Sequence, residues 1–305
     1  MRFIVPLAFT AALIGTAAAL DVPQHAVRVA APADPTDAYV IDGDAVEAEP
    51  FAEWDAVDQL GLRVRIAWGE EDVAKAPAEA SRYTQKTYSF PTGVIRVLEF
   101  KKDRGGMIHA ITVETELYML QGSGTVEVRG ESVAVNAGDV VSYPSGVLRG
   151  DGDATVILWT VNGEKVNGAA RAMHVRAEDA PETYSAGWYE NGEYKRGQFD
   201  EHFTGAPDGA VKLMVKRYDL DGNTFVTTKN YKGGPTGKTS GSTDALIYVT
   251  SGKMRFFQGD QEVVVEAGDA VREIAGLPHY WIRLEDSSFA AIGSQPVVPL
   301  SADTP

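Results

Sequence analysis

The chain has 305 residues, 44% of them hydrophobic and 23% charged, with a formal net charge of −15. That composition belongs to a folded chain rather than a disordered one, and its acidic balance argues against nucleic acid or anionic lipid as a partner. With no cysteine and five histidines, disulfides, iron–sulfur clusters, thiolate zinc sites and a cysteine nucleophile are ruled out.

Met1-Arg2 gives a short positive start, residues 3–16 (FIVPLAFTAALIGT) carry no charge, and Ala17-Ala18-Ala19 supplies small residues before a cut after Ala19. This is the pattern of a secretory signal peptide over 1–19. The expected mature protein is periplasmic or secreted, with no membrane contact after cleavage. An uncleaved anchor is the alternative. Residues 20–45 form a Pro-, Ala- and Asp-rich arm, expected to strap partly onto the second half of the chain.

Beyond the arm, short alternating runs dominate. Thr125–Val128 meets Val133–Val135 across a polar turn, and Met254–Phe257 meets Val263–Val265 across Gly259-Asp260. Both read as hairpins with one buried face. They are related by an offset of 130 residues. Tyr118, Gly122, Val133, Gly138, Asp139 and Gly146 map onto Tyr248, Gly252, Val263, Gly268, Asp269 and Gly276. An ordered set of matches at one spacing signals duplication of one unit. The halves are placed at 46–165 and 166–299, with a tail at 300–305. Between them, Asn162-Gly163, Asn167-Gly168 and Asn191-Gly192 mark a turn-rich join.

The repeated segments GGMIHAITVETELYMLQG (105–122) and PTGKTSGSTDALIYVTSG (235–252), followed by GDVVSYPSGVLR (138–149) and GDAVREIAGLPH (268–279), resemble the two sequence motifs of the cupin superfamily. The resemblance implies an all-β chain: a tandem duplication of a cupin jelly-roll β-barrel, each barrel with a pocket at its mouth. Cupins that hold metal typically use three His and one carboxylate. In the first half those places fall on His109, Ile111, Thr115 and Arg149. In the second, the same offset gives Thr239, Gly241, Ala245 and His279, and a one-residue loop shift offers Lys238 and Ser240. Neither half keeps more than one His, so no metal and no other cofactor is expected.

Three readings stay open. In the first, His109, Thr115 and Arg149 bind a small anionic or carbohydrate-like ligand in the first barrel. Arg supplies a planar fork for an anion and His a donor or proton carrier. In the second barrel Lys238 and His279 would do the same beside Tyr280 and Trp281. By resemblance to metal-free cupin isomerases and epimerases, His109 or His279 would act as catalytic base. The second reading is a metal-dependent dioxygenase, lyase or isomerase that recruits Glu114 or Glu116. Alternation points both away from residue 115, toward solvent. The third is a structural or interaction protein, its pockets filled by Leu117, Met119, Ile247 and Val249, with Tyr118 and Tyr248 at an inter-barrel or homodimer contact. The loop Gly237-Lys238-Thr239 lacks the spacing and following helix of a phosphate loop, and no nucleophile elbow is present.

Overall fold

The computed structural model describes residues 39–294, apart from 58–62, 70, 79, 102–105, 110–114, 129–130, 144–146, 162–172, 221–223, 235–237, 241–244, 260 and 275–276. The expected signal peptide, most of the arm, the tail, Ile111, Glu114 and the GKT loop's Gly237 lie outside the described residues.

The structure is almost entirely β. The first half carries β1 (Val40–Ile41), β2 (Glu49–Val57), β3 (Arg63–Trp68), β4 (Ser81–Phe90), β5 (Gly93–Phe100), β6 (Gly106–His109), β7 (Thr115–Gln121), β8 (Ser123–Val128), β9 (Glu131–Asn136), β10 (Val140–Tyr143), β11 (Val147–Gly150) and β12 (Ala154–Val161). The second half carries β13 (Met173–Val175), β14 (Glu182–Glu190), β15 (Glu193–Phe199), β16 (Val211–Asp219), β17 (Thr224–Lys232), β18 (Lys238–Ser240), β19 (Ala245–Ser251), β20 (Lys253–Gln258), β21 (Gln261–Glu266), β22 (Ala270–Glu273), β23 (Pro278–Arg283) and β24 (Ser287–Ser294). Each half builds a large eight-stranded sheet, β13-β10-β7-β12-β5-β4-β2-β3 or β1-β22-β19-β24-β17-β16-β14-β15, and a four-stranded one, β6-β11-β8-β9 or β18-β23-β20-β21.

Turn chemistry fixes the local joints. Gly122 and its repeat Gly252 stand at φ 82 and 75, and Gly138 and Gly268 at 92 and 101, a region that costs a side chain dearly. Asn191-Gly192, both at positive φ, closes β14 onto β15 in a tight hairpin. The described part of the join expected between the halves is thus largely strand, with β14 and β15 in the second half's large sheet; Asn162-Gly163 and Asn167-Gly168 lie outside the described residues.

Two straps cross between the halves. β1 pairs with β22, so the arm does close the second half's sheet. β13, on the second-half side of the expected boundary, pairs with β10 of the first. A duplicated carboxylate pins both. Asp139 Oδ1 accepts from Ala177 N at 2.8 Å. Asp269 Oδ1 accepts from Gly43 N at 2.8 Å.

Alternation along each large sheet sends one row inward and the other to a shared seam. The seam buries Tyr88, Ile95, Trp159, Tyr218, Leu246 and Ile292 from both halves. Tyr88 meets Tyr248 edge-on at 5.8 Å, and Tyr118 meets Tyr218 at 6.4 Å. These pairs are the same contact seen twice, and they place Tyr118 and Tyr248 between the barrels. Glu116 corrects the expectation of a solvated strand face. It pairs with Ser142 and Trp159 and is only 1% exposed, because the face opposite Thr115 is covered by the seam rather than by water.

Candidate ligand site

The site expected in the first barrel is not assembled. Leu148 of β11 and Val126 of β8 are opposite one another and buried in the first core. Their neighbours Arg149 and Glu127 therefore face the other way, with Arg149 Nε 3.3 Å from Glu127 Oε1 and both side chains about 40% exposed. Arg149 belongs to the outer surface of the small sheet, not to a pocket. His109 pairs through its backbone with Val147, in the row that also holds Glu127; its side chain lies outside the described residues. Thr115 is buried on the inner face, in line with Leu117 and Met119. That interior is filled. Phe51 stacks on Tyr83 at 5.5 Å, Tyr83 leans on Phe100 at 5.7 Å, and Leu98, Leu117 and Met119 are fully buried around them.

A change of offset explains the misplacement. Tyr280 pairs with Phe257 as Val147 pairs with Glu127, so the equivalence here is 133 rather than 130. Tyr280 lies three residues further past Glu273 than its equivalent Val147 lies past Tyr143. Arg149 corresponds to Ile282, and His279 to residue 146, which lies outside the described residues. Lys238 pairs with Tyr280 as His109 pairs with Val147. Lys238 rather than Thr239 therefore holds His109's place, and its side chain lies outside the described residues.

The second interior is different in kind. His279 is 3% exposed and points inward with Trp281. Its Nε2 lies 3.3 Å from Glu273 Oε1, and its Nδ1 faces the Leu277 carbonyl at 3.2 Å. Trp281 Nε1 donates to the same Glu273 oxygen at 2.9 Å. Both ring nitrogens of His279 thus face acceptors, while a neutral imidazole carries one N–H. The histidine and carboxylate thus form a buried pair in direct contact. Beside the pair, Gln258 is spent on structure, accepting from Ile274 N at 2.7 Å.

β17 adds what sequence reasoning missed. Lys229 and Tyr231 alternate inward, Lys229 with its ammonium 5.3 Å from the Phe289 ring centroid and Tyr231 with its ring 5.5 Å from the same ring. Burial lowers the pKa of Lys229; Glu273 opposes that shift and Arg196 adds to it. Burial and Glu273 together push the Tyr231 hydroxyl far above its ordinary range, so it stays a neutral donor. Arg196 stands exposed on β15, its Nη2 donating to Ser185 Oγ at 3.1 Å. Phe256, Trp281 and Phe289 make an aromatic wall, with ring centroids 4.4 and 5.2 Å apart. The second interior therefore offers a lysine, a histidine–carboxylate pair and a phenol against aromatic faces, with the exposed Arg196 within electrostatic range. A signal for it exists in the sequence: KNYK of the second half stands where the first half has LEFK, so Lys229 and Tyr231 take the places of the apolar Leu98 and Phe100.

Comparison with known proteins follows this geometry. Residues 232–292 match the model of the cupin domain. No curated protein matches. Among solved structures, oxalate decarboxylase of Bacillus subtilis is similar over 91% of this chain and 81% of its own, at 12% identity and a TM-score of 0.51. AerE of Microcystis aeruginosa is similar over 70% of this chain and 93% of its own, at 9% identity and a TM-score of 0.50.

The fold is the cupin fold, present twice. In the second cupin half the matched segment spans His279, Glu273 and Trp281 of the interior cluster. The donor set there does not fit the three-His, one-carboxylate centre that the cupin resemblance implies. Among the described residues no group of three His, Asp or Glu side chains is placed to hold a metal ion, and Lys229 acts electrostatically on the Glu273 of the interior His279–Glu273 pair.

Proposed function

We propose that this chain is an exported bicupin that binds a small anionic or carbohydrate-like ligand in its second barrel, with the first barrel as a packed scaffold. One observation carries the reading. Where the first interior has Leu98, Phe100 and Phe51, the second has Lys229, Tyr231 and Ser185. Holding a half-buried lysine over the Phe289 ring with no hydrogen bond among the described residues works against stability, so its presence in one barrel of a duplicated pair supports use. Lys229 and Arg196 supply charge for an anion, the aromatic wall a face for a ring or carbon chain, and His279 with Glu273 a hydrogen-bonding pair. The apolar run 3–16 supports export. Filling of the first interior by Leu117 and Met119 favours a structural role for that half.

Thermal melting with small carboxylates, acid sugars and neutral sugars tests this. Acidic compounds should raise the wild-type Tm by about 2 °C or more and leave Lys229→Leu unmoved. A panel in which nothing acidic binds, or in which Lys229→Leu responds equally, overturns the reading.

A further inference from the structure

We propose that Lys229 condenses with the carbonyl group of a small oxo acid to form an imine. This rests on the ligand-site reading of the second barrel and names the substrate class for it. Lys229 projects from the middle of β17 into the interior, against Phe289. Among the described residues its ammonium has no hydrogen bond and no ion pair. A lysine placed only to hold the fold would be tied to a carboxylate or carbonyl, as Lys216 is to the Ala177 carbonyl at 3.0 Å. An amine set against apolar surface near a second cation is instead an activated nucleophile. Burial and Arg196 favour its neutral form, which carries the lone pair.

The surrounding groups divide the rest of the work. Arg196, exposed on β15, is a partner for the acid's carboxylate. The Lys229 nitrogen attacks the carbonyl carbon, a C–N bond forms, and the carbonyl oxygen takes a proton to give a carbinolamine. The nitrogen then loses a proton, the hydroxyl takes one and leaves as water, and the C=N bond remains. Amine and carbonyl give imine and water, with no oxidant or reductant. His279 and Glu273, in contact at 3.3 Å, supply the acid–base groups of this interior.

The test uses the full chain with pyruvate and sodium cyanoborohydride, read by intact mass and peptide mapping. Thermal melting with pyruvate and with lactate, its hydroxy counterpart, runs in parallel. Expected is one reduced adduct, located on Lys229 and lost in both Lys229→Met and Lys229→Arg. Arginine keeps a cation at the position, so loss there separates nucleophilicity from charge. Label spread evenly over the surface lysines overturns the imine. If pyruvate and lactate both raise Tm but no adduct forms, the imine fails and the ligand site stands. If neither ligand raises Tm and no adduct forms, both fail.

Discussion

Leu98 and Lys229 occupy the same place in the two halves. Leu98 lies opposite Val156, which lies opposite Met119. Lys229 lies opposite Phe289, which lies opposite Val249. One row closes a core and the other carries a charge into it. Lys229→Leu should therefore stabilise the protein by about 1 kcal/mol while abolishing ligand shifts, since site residues are commonly held at a cost in stability. The pH dependence has a defined sign. The folded pKa lies below the ordinary 10.5, so the folded state binds fewer protons in the window between the two values. Wild type should gain stability relative to Lys229→Leu as pH rises through that window. Urea melts of both proteins across alkaline pH check this.

Arg149→Ala should change little. The side chain meets Glu127 on an outer face, and half-exposed pairs contribute about 0–1 kcal/mol. Ligand-induced shifts in Tm should be kept. A lost shift with an intact fold would return the binding site to the first barrel.

Asp269 ties β1 to the second half. Its Oδ1 accepts from Gly43 N and its Oδ2 from Glu266 N at 2.9 Å. Asp269→Ala leaves two backbone donors without this acceptor and should cost about 1–3 kcal/mol. Amide exchange at residues 40–43 should speed up before the rest of the second half. Burial holds the carboxyl above its ordinary 3.8, against the pull of those two N–H donors. The folded state thus keeps its proton to higher pH than the unfolded one. Stability relative to Asp269→Ala should fall as pH rises from 3.8 through the raised value. A flat difference across acidic pH would show that Asp269 titrates alike in both states.

Tyr88 tests the seam. Its hydroxyl donates to the Gly268 carbonyl across the halves at 2.8 Å, and its ring meets Tyr248. Tyr88→Phe should cost about 1 kcal/mol for the lost bond. Tyr88→Ala should cost about 3–5 kcal/mol, because it empties a fully buried ring site. A second transition in urea for Tyr88→Ala, absent in wild type, would report halves unfolding separately. Unchanged cooperativity with a full stability loss would mean that the rest of the seam suffices.

Much of the fold was legible in the chain because strand physics is local. A period of two marks a half-buried strand, Gly at positive φ marks its turns, and both recur at one spacing. That yielded the two hairpins, the duplication, the inward Leu117 and Met119, and the outward Tyr118 and Tyr248. The site was less legible. Arg149 seemed equivalent to His279 because Gly, Asp and Val recur at 130, yet the paired position Tyr280 lies three residues further past Glu273 than Val147 lies past Tyr143. A loop can absorb such a difference without disturbing either strand, whereas the cross-strand register cannot.

The sequence by itself determined an acidic, cysteine-free, duplicated all-β chain, since those properties are counts and local periodicities. Only the tertiary structure decided which face of each strand meets water, which the seam, and which an interior. Glu116 looked solvated until a second barrel covered it. Lys229 carried no signal of its own in the sequence until β17, β22 and β24 brought it over Phe289 and within electrostatic range of Glu273. Burial and charge at a point depend on segments far apart in the chain, and periodicity within one strand carries no record of what the others bring.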